Sequence, residues 1–208
     1  MRTPETDDQP SVDAGADAAN DADALLMLAY ARGDNPAFDR LYERHRGGTY
    51  RFFLRSVRDP ALAQELLQDL WMSLVRVRAT YQIQARFTTW LYRMAHNRLI
   101  DHYRRSSVVE LVALDADGDD AADGGSPGGV ADAGPQPDQS AAGRQAARHL
   151  LALVDALPAA QREAFLLQEE GGLSLEQIGA ATGAGVETVK SRLRYAITRL
   201  RAGMKEHL

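Results

Sequence analysis

Apolar residues recur every three or four positions in two separate stretches of this chain, and that period predicts amphipathic α-helices. In the first stretch the pattern predicts helices over residues 25–32 and 37–57, followed by a helix that opens at Asp59 and Pro60. An aspartate accepts the free backbone amides of a helix start, and a proline fits the first helical turn. Together with a second helical stretch, this pattern predicts an all-α protein of two small helical domains.

The second stretch carries its clearest local signal over residues 174–194. The Ser174 hydroxyl can accept a hydrogen bond from the amide of Gln177, and the Gln177 side chain can accept one from the amide of Ser174. This reciprocal capping box predicts that a helix begins directly after Ser174. Gly183 and Gly185 permit positive φ angles and end that helix. We therefore predict two short helices joined by a tight glycine turn.

The helix after the turn has two distinct faces when residues are placed at 100° intervals. Its packing arc holds Val186, Val189, Leu193, Ile197 and Leu200. Its opposite face is polar and basic, with Thr188, Ser191, Arg192, Arg194, Tyr195 and Thr198. Such side chains contact base edges and phosphates when a recognition helix lies in the major groove of DNA. The alternative is an ordinary helical hairpin whose polar face meets water.

A basic stripe with interleaved aromatic residues is predicted on the helix that begins at Phe87. Arg93, Asn97 and Arg104 fall on one face, bordered by Trp90. Aromatic rings could support unstacked bases, and the arginines could contact phosphates, as in single-strand binding sites. The candidate rings are Tyr81, Phe87, Trp90, Tyr92 and Tyr103. Phe87 is equally a candidate for the hydrophobic core.

The helix after Pro60 exposes a face of a different character. Its apolar rows are Leu62, Leu66, Leu70 and Leu74, and then Leu67, Trp71 and Val75. The outer face carries Gln64, Glu65, Gln68 and Asp69. Carboxylates grouped inside an arginine-rich domain suggest a basic protein partner more than nucleic acid, although a merely solvated face is the alternative.

The formal net charge of −5 over 208 residues conceals a strong segregation. Residues 1–24 hold one arginine and seven acids, whereas residues 25–105 hold fourteen arginines and seven acids. Residues 106–143 hold eight acids and no Lys or Arg, and residues 144–208 hold nine bases and seven acids. Acidic, alanine- and glycine-rich segments cannot bury enough apolar surface to offset their ordering entropy. We therefore predict a disordered acidic extension and a long flexible acidic linker between two basic domains.

Four segments follow from this division: an extension over 1–24, a domain over 25–107, a linker over 108–143 and a domain over 144–208. The chain has no cysteine, which excludes disulfides and thiolate metal sites, and no metal cluster or cofactor motif is evident. The sequence contains no apolar run of about eighteen residues, the length that would predict a membrane span. We therefore expect a cytoplasmic protein that does not insert into membranes and has no cofactor.

Three segments in this order resemble bacterial sigma-70 family initiation factors, and specifically the small extracytoplasmic-function group. They are DPALAQELLQDLWMSLVRV, FTTWLYRMAHNRLIDHYRR and LSLEQIGAATGAGVETVKSRLR. The resemblance covers about residues 25–105 and 144–205. It implies a non-enzymatic protein that binds the clamp and flap regions of core RNA polymerase, recognises promoter DNA as duplex and as single strand, and is held by an anti-sigma factor. It also implies that the linker passes through the active-site cleft and RNA exit path.

The resemblance also implies three sets of site residues. Polymerase binding falls on Glu65, Gln68 and Asp69. Binding of the minus-10 element, with capture of a flipped non-template base at segment 81–88, falls on Tyr81, Phe87, Thr88, Trp90, Arg93, Asn97 and Arg104. Binding of the minus-35 element falls on Glu187, Thr188, Lys190, Ser191, Arg192 and Arg194.

Two other classes of function remain at this stage. A DNA-binding regulator would need only the second domain, but that leaves the aromatic and basic first domain unexplained. A nuclease or hydrolase would need a metal cluster, a nucleophile elbow or a phosphate loop, and none of these motifs is evident. The sequence also departs from the family pattern at Gln64, Gly179, Tyr195 and Thr198.

Overall fold

The computed structural model describes residues 21–105 and 141–207. The predicted acidic linker lies almost entirely outside the described residues, as does the acidic extension up to residue 20. Within the described ranges the protein consists of eight α-helices and one short 3-10 helix, which confirms the all-α prediction. Both domains therefore belong to the helical class that the periodicity predicts.

The first domain contains four α-helices around an aromatic and leucine-rich core. They are α1 (Ala22–Ala31), α2 (Asn35–Val57), α3 (Pro60–Val77) and α4 (Phe87–Arg105), with the 3-10 helix Arg78–Thr80 after α3. Asp59 caps α3 as predicted, because its carboxylate accepts the amides of Ala61 at 2.8 Å and Leu62 at 3.2 Å. Phe52, Phe53 and Leu70 are among the fully buried side chains of the core.

The second domain also contains four helices, and its last two form the predicted helix-turn-helix. They are α5 (Ala141–Asp155), α6 (Ala159–Glu169), α7 (Leu175–Thr182) and α8 (Val186–His207). The long helix α8 packs against α5, α6 and α7 through buried residues that include Val189, Leu193 and Ala196.

The folded part of the first domain begins earlier than the predicted boundary at residue 25. Asp21 caps α1 by accepting the amide of Asp23 at 3.1 Å. Asp23 is itself buried, where it pairs with the Arg44 guanidinium and lies 2.8 Å from Nε2 of His45. Residues 21–24, assigned to the acidic extension, therefore belong to the fold, where the carboxylates of Asp21 and Asp23 have specific partners and Ala24 is fully buried. The second domain likewise begins at Ala141, three positions before the predicted residue 144.

The two domains contact each other along α4, which packs against α7. Tyr92 is buried, and its hydroxyl donates to the carbonyl oxygen of Glu170 at 2.8 Å. A Cβ added to Gly48 would lie 2.9 Å from that carbonyl oxygen and from the Tyr92 hydroxyl. Burial raises the pKa of Tyr92, with a smaller contribution from the Glu170 carboxylate. Glycine at position 48 is therefore required by close approach of the domains.

Ion pairs border this contact. Arg51 pairs with the Glu170 carboxylate at 2.7 Å, and Arg55 pairs with Asp155 at 3.2 Å. His96 Nδ1 lies 2.6 Å from Glu163 Oε1 in a largely buried position. The interface therefore combines close packing at its centre with polar pairs around it, an arrangement common between domains that separate.

Candidate nucleic-acid interface

A groove lies between α2 and α3 on the first domain, with a volume of about 300 Å³. It is lined by Phe38, Tyr42, Gln64, Leu67, Gln68, Trp71, Met72 and Val75. The Trp71 ring stands edge-on to Phe38 and Tyr42, with centroid distances of 5.9 and 5.1 Å. Within the described residues, the buried indole N–H of Trp71 has no hydrogen-bond partner. This groove is an aromatic recess with a polar rim.

The predicted polymerase-binding residues lie on and beside this groove. Gln68 lines it directly, Glu65 is exposed, and Asp69 is half-buried. Met72 is the member of the groove that sequence reasoning missed, although 51% of its surface is exposed. Its signal was available in the sequence, because Met72 lies one helical turn after Gln68 on the otherwise polar face of α3.

Some of the predicted minus-10 residues lie on the protein surface, and others are buried beneath it. On the surface of α4, Arg93, Asn97 and Arg104 are exposed along one face, and Thr88 and Trp90 are half-buried. Below them, Phe87 is fully buried and Tyr81 is 9% exposed. The structure therefore brings the exposed arginine and amide groups together, whereas it withdraws Phe87 and Tyr81 from the surface.

The three aromatic rings form a cluster under the loop 81–86. Trp90 stands 4.9 Å from Tyr81 at an interplanar angle of 65° and 5.8 Å from Phe87. The buried Tyr81 hydroxyl has no hydrogen-bond partner among the described residues. Burial and, to a lesser extent, the negative charge of Asp21 raise the pKa of Tyr81 to about 12. Of the three rings, only that of Trp90 has a substantial exposed part in this conformation.

The amino-terminal end of α4 is fixed by a residue that the sequence interpretation placed in the acidic extension. Oδ2 of Asp21 accepts the backbone amide of Phe87 at 2.7 Å. No local sequence signal identifies this contact, because 66 positions separate the two residues.

The helix-turn-helix follows the predicted local chemistry closely. The Ser174 amide donates to Gln177 Oε1 at 2.9 Å, and the Gln177 amide donates to Ser174 Oγ at 3.3 Å, which confirms the capping box. Gly183 has a φ of 76° and ends α7. A Cβ on Gly179 would lie 2.8 Å from the carbonyl oxygen of Ala184, so this glycine permits close approach of the turn.

The predicted minus-35 residues share the outer face of α8. Glu187, Thr188, Lys190 and Arg194 are exposed, and Ser191 and Arg192 are half-buried. Lys190 Nζ lies 3.6 Å from the Glu187 carboxylate, and the Arg194 guanidinium lies 5.1 Å above the Tyr195 ring. Tyr195, which the helical pattern placed on this polar face and which departs from the family pattern, is 52% exposed beside Arg194.

One packing prediction for α8 is wrong. Val186 was placed in the apolar arc but is 40% exposed, because it lies in the first turn, beyond the part of α8 that the other helices cover. Ala196, which the arc omitted, is fully buried there.

In the described ranges, no group of three or more His, Cys, Asp or Glu side chains could hold a metal ion. Among the helices of residues 21–105 and 141–207, none is both long and apolar enough to cross a membrane.

Family models match both domains. The model of sigma-70 region 2 matches residues 41–108, and the model of sigma-70 region 4 matches residues 147–200. The chain is 32% identical over 175 residues to RNA polymerase sigma factor CarQ of Myxococcus xanthus, which covers 84% of this chain and 93% of that protein. It is 30% identical over 203 residues to the extracytoplasmic-function sigma factor SigE of Mycolicibacterium smegmatis, which covers 98% of this chain and 71% of that protein.

Two solved structures share the fold. CnrH in complex with the cytosolic domain of CnrY has a TM-score of 0.60 at 20% identity, covering 89% of this chain and 99% of that chain. The sigma factor RpoE in complex with the anti-sigma factor NepR, from Bartonella quintana, has a TM-score of 0.62 at 20% identity. The second match covers 81% of this chain and 96% of that chain.

Proposed function

Because this chain belongs to the extracytoplasmic-function group of the sigma-70 family, we propose how its two domains divide promoter recognition between them. It is a sigma factor that binds core RNA polymerase and directs promoter-specific transcription initiation. Residues 25–107 form the domain that binds the polymerase clamp and opens the minus-10 element. Residues 144–208 form the domain that binds the minus-35 element and the polymerase flap.

The observation that carries this division is the difference between the exposed faces of α4 and α8. On α4 the exposed row of Arg93, Asn97 and Arg104 runs beside Trp90, the half-buried ring of the aromatic cluster. That combination suits an unpaired strand, because a base can stack on the ring while the arginines contact phosphates. On α8 the exposed residues are polar and basic on a helix positioned by a tight turn, which suits the major groove of a duplex.

Strand opening then has an energetic source. Flipping a base out of the duplex costs a few kcal/mol, and stacking on an aromatic ring returns roughly 1–3 kcal/mol per base. Tyr81 and Phe87 support Trp90 from below in the present conformation, so capture of a base at loop 81–88 requires either Trp90 alone or a movement that exposes Tyr81.

The groove on α2 and α3 is the proposed polymerase-binding face. Its aromatic recess offers apolar surface and Gln68 an amide group, while Glu65 and Asp69 offer carboxylates beside it on α3. A basic helix of the polymerase clamp would be recognised by this combination. We expect Met72 to contribute apolar contact at the same face.

The contact between the domains must break when both promoter elements are bound. By their names, the two elements are centred about 25 base pairs apart, which corresponds to ~85 Å of duplex at 3.4 Å per base pair. A Cβ added to Gly171 would lie 3.0 Å from the Tyr92 ring, and the eight residues of α7 contribute only ~12 Å between Gly171 and the start of α8. The protein therefore cannot reach both elements while its two domains are in contact, and binding to polymerase must separate the domains.

Three further assignments follow from family membership. The protein works as a non-catalytic initiation factor without a cofactor, and in the cytoplasm, where polymerase and promoter DNA are located. An anti-sigma factor is its proposed regulator, in keeping with the fold it shares with RpoE bound to NepR.

Reconstitution tests the proposed function. The chain is mixed with core RNA polymerase and a promoter library, and promoter-specific transcripts are expected. Binding of DNA without transcripts would favour a regulator, and product formation without polymerase would favour an enzyme.

A charge reversal tests the polymerase-binding face. Asp69→Arg places a positive charge where a basic partner is expected, so affinity for core polymerase should fall at least tenfold. Duplex binding to a minus-35 oligonucleotide should be unchanged. Asp34→Arg, an equivalent reversal at an exposed position outside the groove, serves as the matched control.

A further inference from the structure

The loop that precedes α4 has both its ends close to one carboxylate. Its last residue is followed by Phe87, whose amide donates to Oδ2 of Asp21 at 2.7 Å. Its first residue is Tyr81, whose phenol experiences the negative charge of the same side chain. Asp21 therefore binds the residue at which the loop 81–86 ends, and its negative charge acts on the residue at which the loop begins.

The residue directly before α4 has no side-chain acceptor that could supply this cap. The first amides of a helix have no acceptor within the helix, and Asp, Asn, Ser or Thr at the preceding position normally supplies one. Here the preceding residue is Arg86, and Gln84 and Ala85 come before it. An arginine side chain has only donors, and the acceptor that the structure gives the Phe87 amide is the distant carboxylate of Asp21.

Asp21 is itself held in place by a second set of contacts. Its Oδ1 accepts the Asp23 amide at 3.1 Å, so one carboxylate caps α1 and α4 together. Asp23 pairs with Arg44 and His45 of α2, and the His45 ring lies 5.3 Å from that of Phe87. The Asp21 carboxylate is therefore connected to α1, α2 and α4, and these contacts fix its position relative to the loop 81–86.

We propose that Asp21 is a positioning residue for strand opening, which holds the loop 81–86 and the first turn of α4 in the geometry that captures an unpaired base. This inference rests on the proposed function of that loop. Asp21 does not contact DNA in this role. It acts through Phe87 and through the aromatic cluster of Tyr81, Phe87 and Trp90. The negative charge also suits the positive end of the helix dipole of α4.

The cap is tested first in the free protein. Hydrogen exchange at the Phe87 amide should be at least tenfold faster in Asp21→Ala, because a hydrogen bond to a charged acceptor is lost. Asp21→Asn has one acceptor oxygen for two amides and should give an intermediate rate. Asp34→Ala is the matched control, since Asp34 stands at the start of α2 but makes no side-chain cap bond. Unchanged exchange in Asp21→Ala would overturn the proposal independently of any promoter assay.

The role in opening is tested with core polymerase. Permanganate reactivity of minus-10 thymines on duplex promoter should fall about tenfold in Asp21→Ala, whereas transcription from a template with a pre-melted minus-10 region should be retained. Affinity for core polymerase should match that of the wild type. Equal losses on both templates would show a merely structural role and overturn the proposal, as would normal opening of the duplex. If the wild-type protein itself opened no promoter, the proposed function would fail, and the exchange result would still stand.

Discussion

The two helices expected to contact DNA, α4 and α8, differ in what fixes their first turns. The turn before α8 is set locally, by the positive φ of Gly183 at the end of α7 and by the close approach of the Ala184 carbonyl oxygen to Gly179. The start of α4 is set from a distance, by the carboxylate of Asp21. A locally determined helix suits a rigid reader of duplex DNA. A helix whose start is held by tertiary contacts has its preceding loop positioned relative to the rest of its domain.

The largest expected effect is on the duplex-reading helix. Arg194→Ala should weaken binding to a minus-35 duplex about 10- to 100-fold, since a good base contact contributes roughly 1–3 kcal/mol. Binding to a template that carries only a pre-melted minus-10 region should not change. The measurement is a titration of both templates with the polymerase complex. Arg201→Ala, exposed on the later part of α8, is the control, and equal losses in both variants would contradict the assignment.

The corresponding change on α4 should affect opening instead. Asn97→Ala removes an exposed amide from the row beside Trp90 and should lower permanganate reactivity of minus-10 thymines about tenfold, the effect of roughly one hydrogen bond. Closed-complex binding, measured by footprinting at low temperature, should be retained. Asn35→Ala, exposed at the start of α2, is the control. Normal melting in Asn97→Ala would remove this residue from the minus-10 interface.

A smaller effect is expected from the local capping contacts. Ser174→Ala leaves the amide of Gln177 without its side-chain acceptor and should cost about 1 kcal/mol of folding free energy. For a domain of this size, the midpoint of thermal unfolding would fall by about 4–8 °C. Thr198→Ala removes an exposed hydroxyl that bonds within α8 and should leave the midpoint almost unchanged. Equal shifts in the two variants would argue against a special role for the capping box.

The smallest effect concerns the hydroxyl of Tyr81. Its pKa is raised to about 12, mainly by burial, so the folded protein retains this proton where the unfolded chain loses it. Stability contributed by neutral Tyr81 is therefore complete below pH 10 and declines as the pH rises from about 10 to 12. Tyr81→Phe should reduce this alkaline loss, measured by denaturant unfolding at a series of pH values. It should leave stability at pH 7 equal or slightly higher, because the hydroxyl has no described partner. If Tyr81→Phe lost as much stability at alkaline pH as the wild type, the loss would have to come from other tyrosines.

The same contrast explains how much of the molecule could be predicted from the sequence. Helix period, the Asp59 cap, the capping box and the positive φ of Gly183 depend on residues a few positions apart, and all are confirmed. The burial of Tyr81 and the exposure of Val186 depend on which helices pack where, and no periodicity specifies that.

The domain contact was similarly beyond sequence reasoning. Tyr92 was predicted only as an aromatic platform for bases, whereas its hydroxyl binds the carbonyl oxygen of Glu170 in the other domain. The close approach at Gly48 arises from the same long-range packing. The residue roles implied by family resemblance stay predictions.

The chain has two tryptophans, and the fold places one at each proposed interface of the first domain. Trp71 forms part of the groove between α2 and α3, and Trp90 covers the cluster under the loop 81–86. The protein therefore carries an intrinsic fluorophore at each surface. Emission from Trp90 in a Trp71→Phe variant would report on base capture, and emission from Trp71 in a Trp90→Phe variant would report on polymerase docking. Stopped-flow fluorescence of the two variants could therefore time the two events without an attached dye.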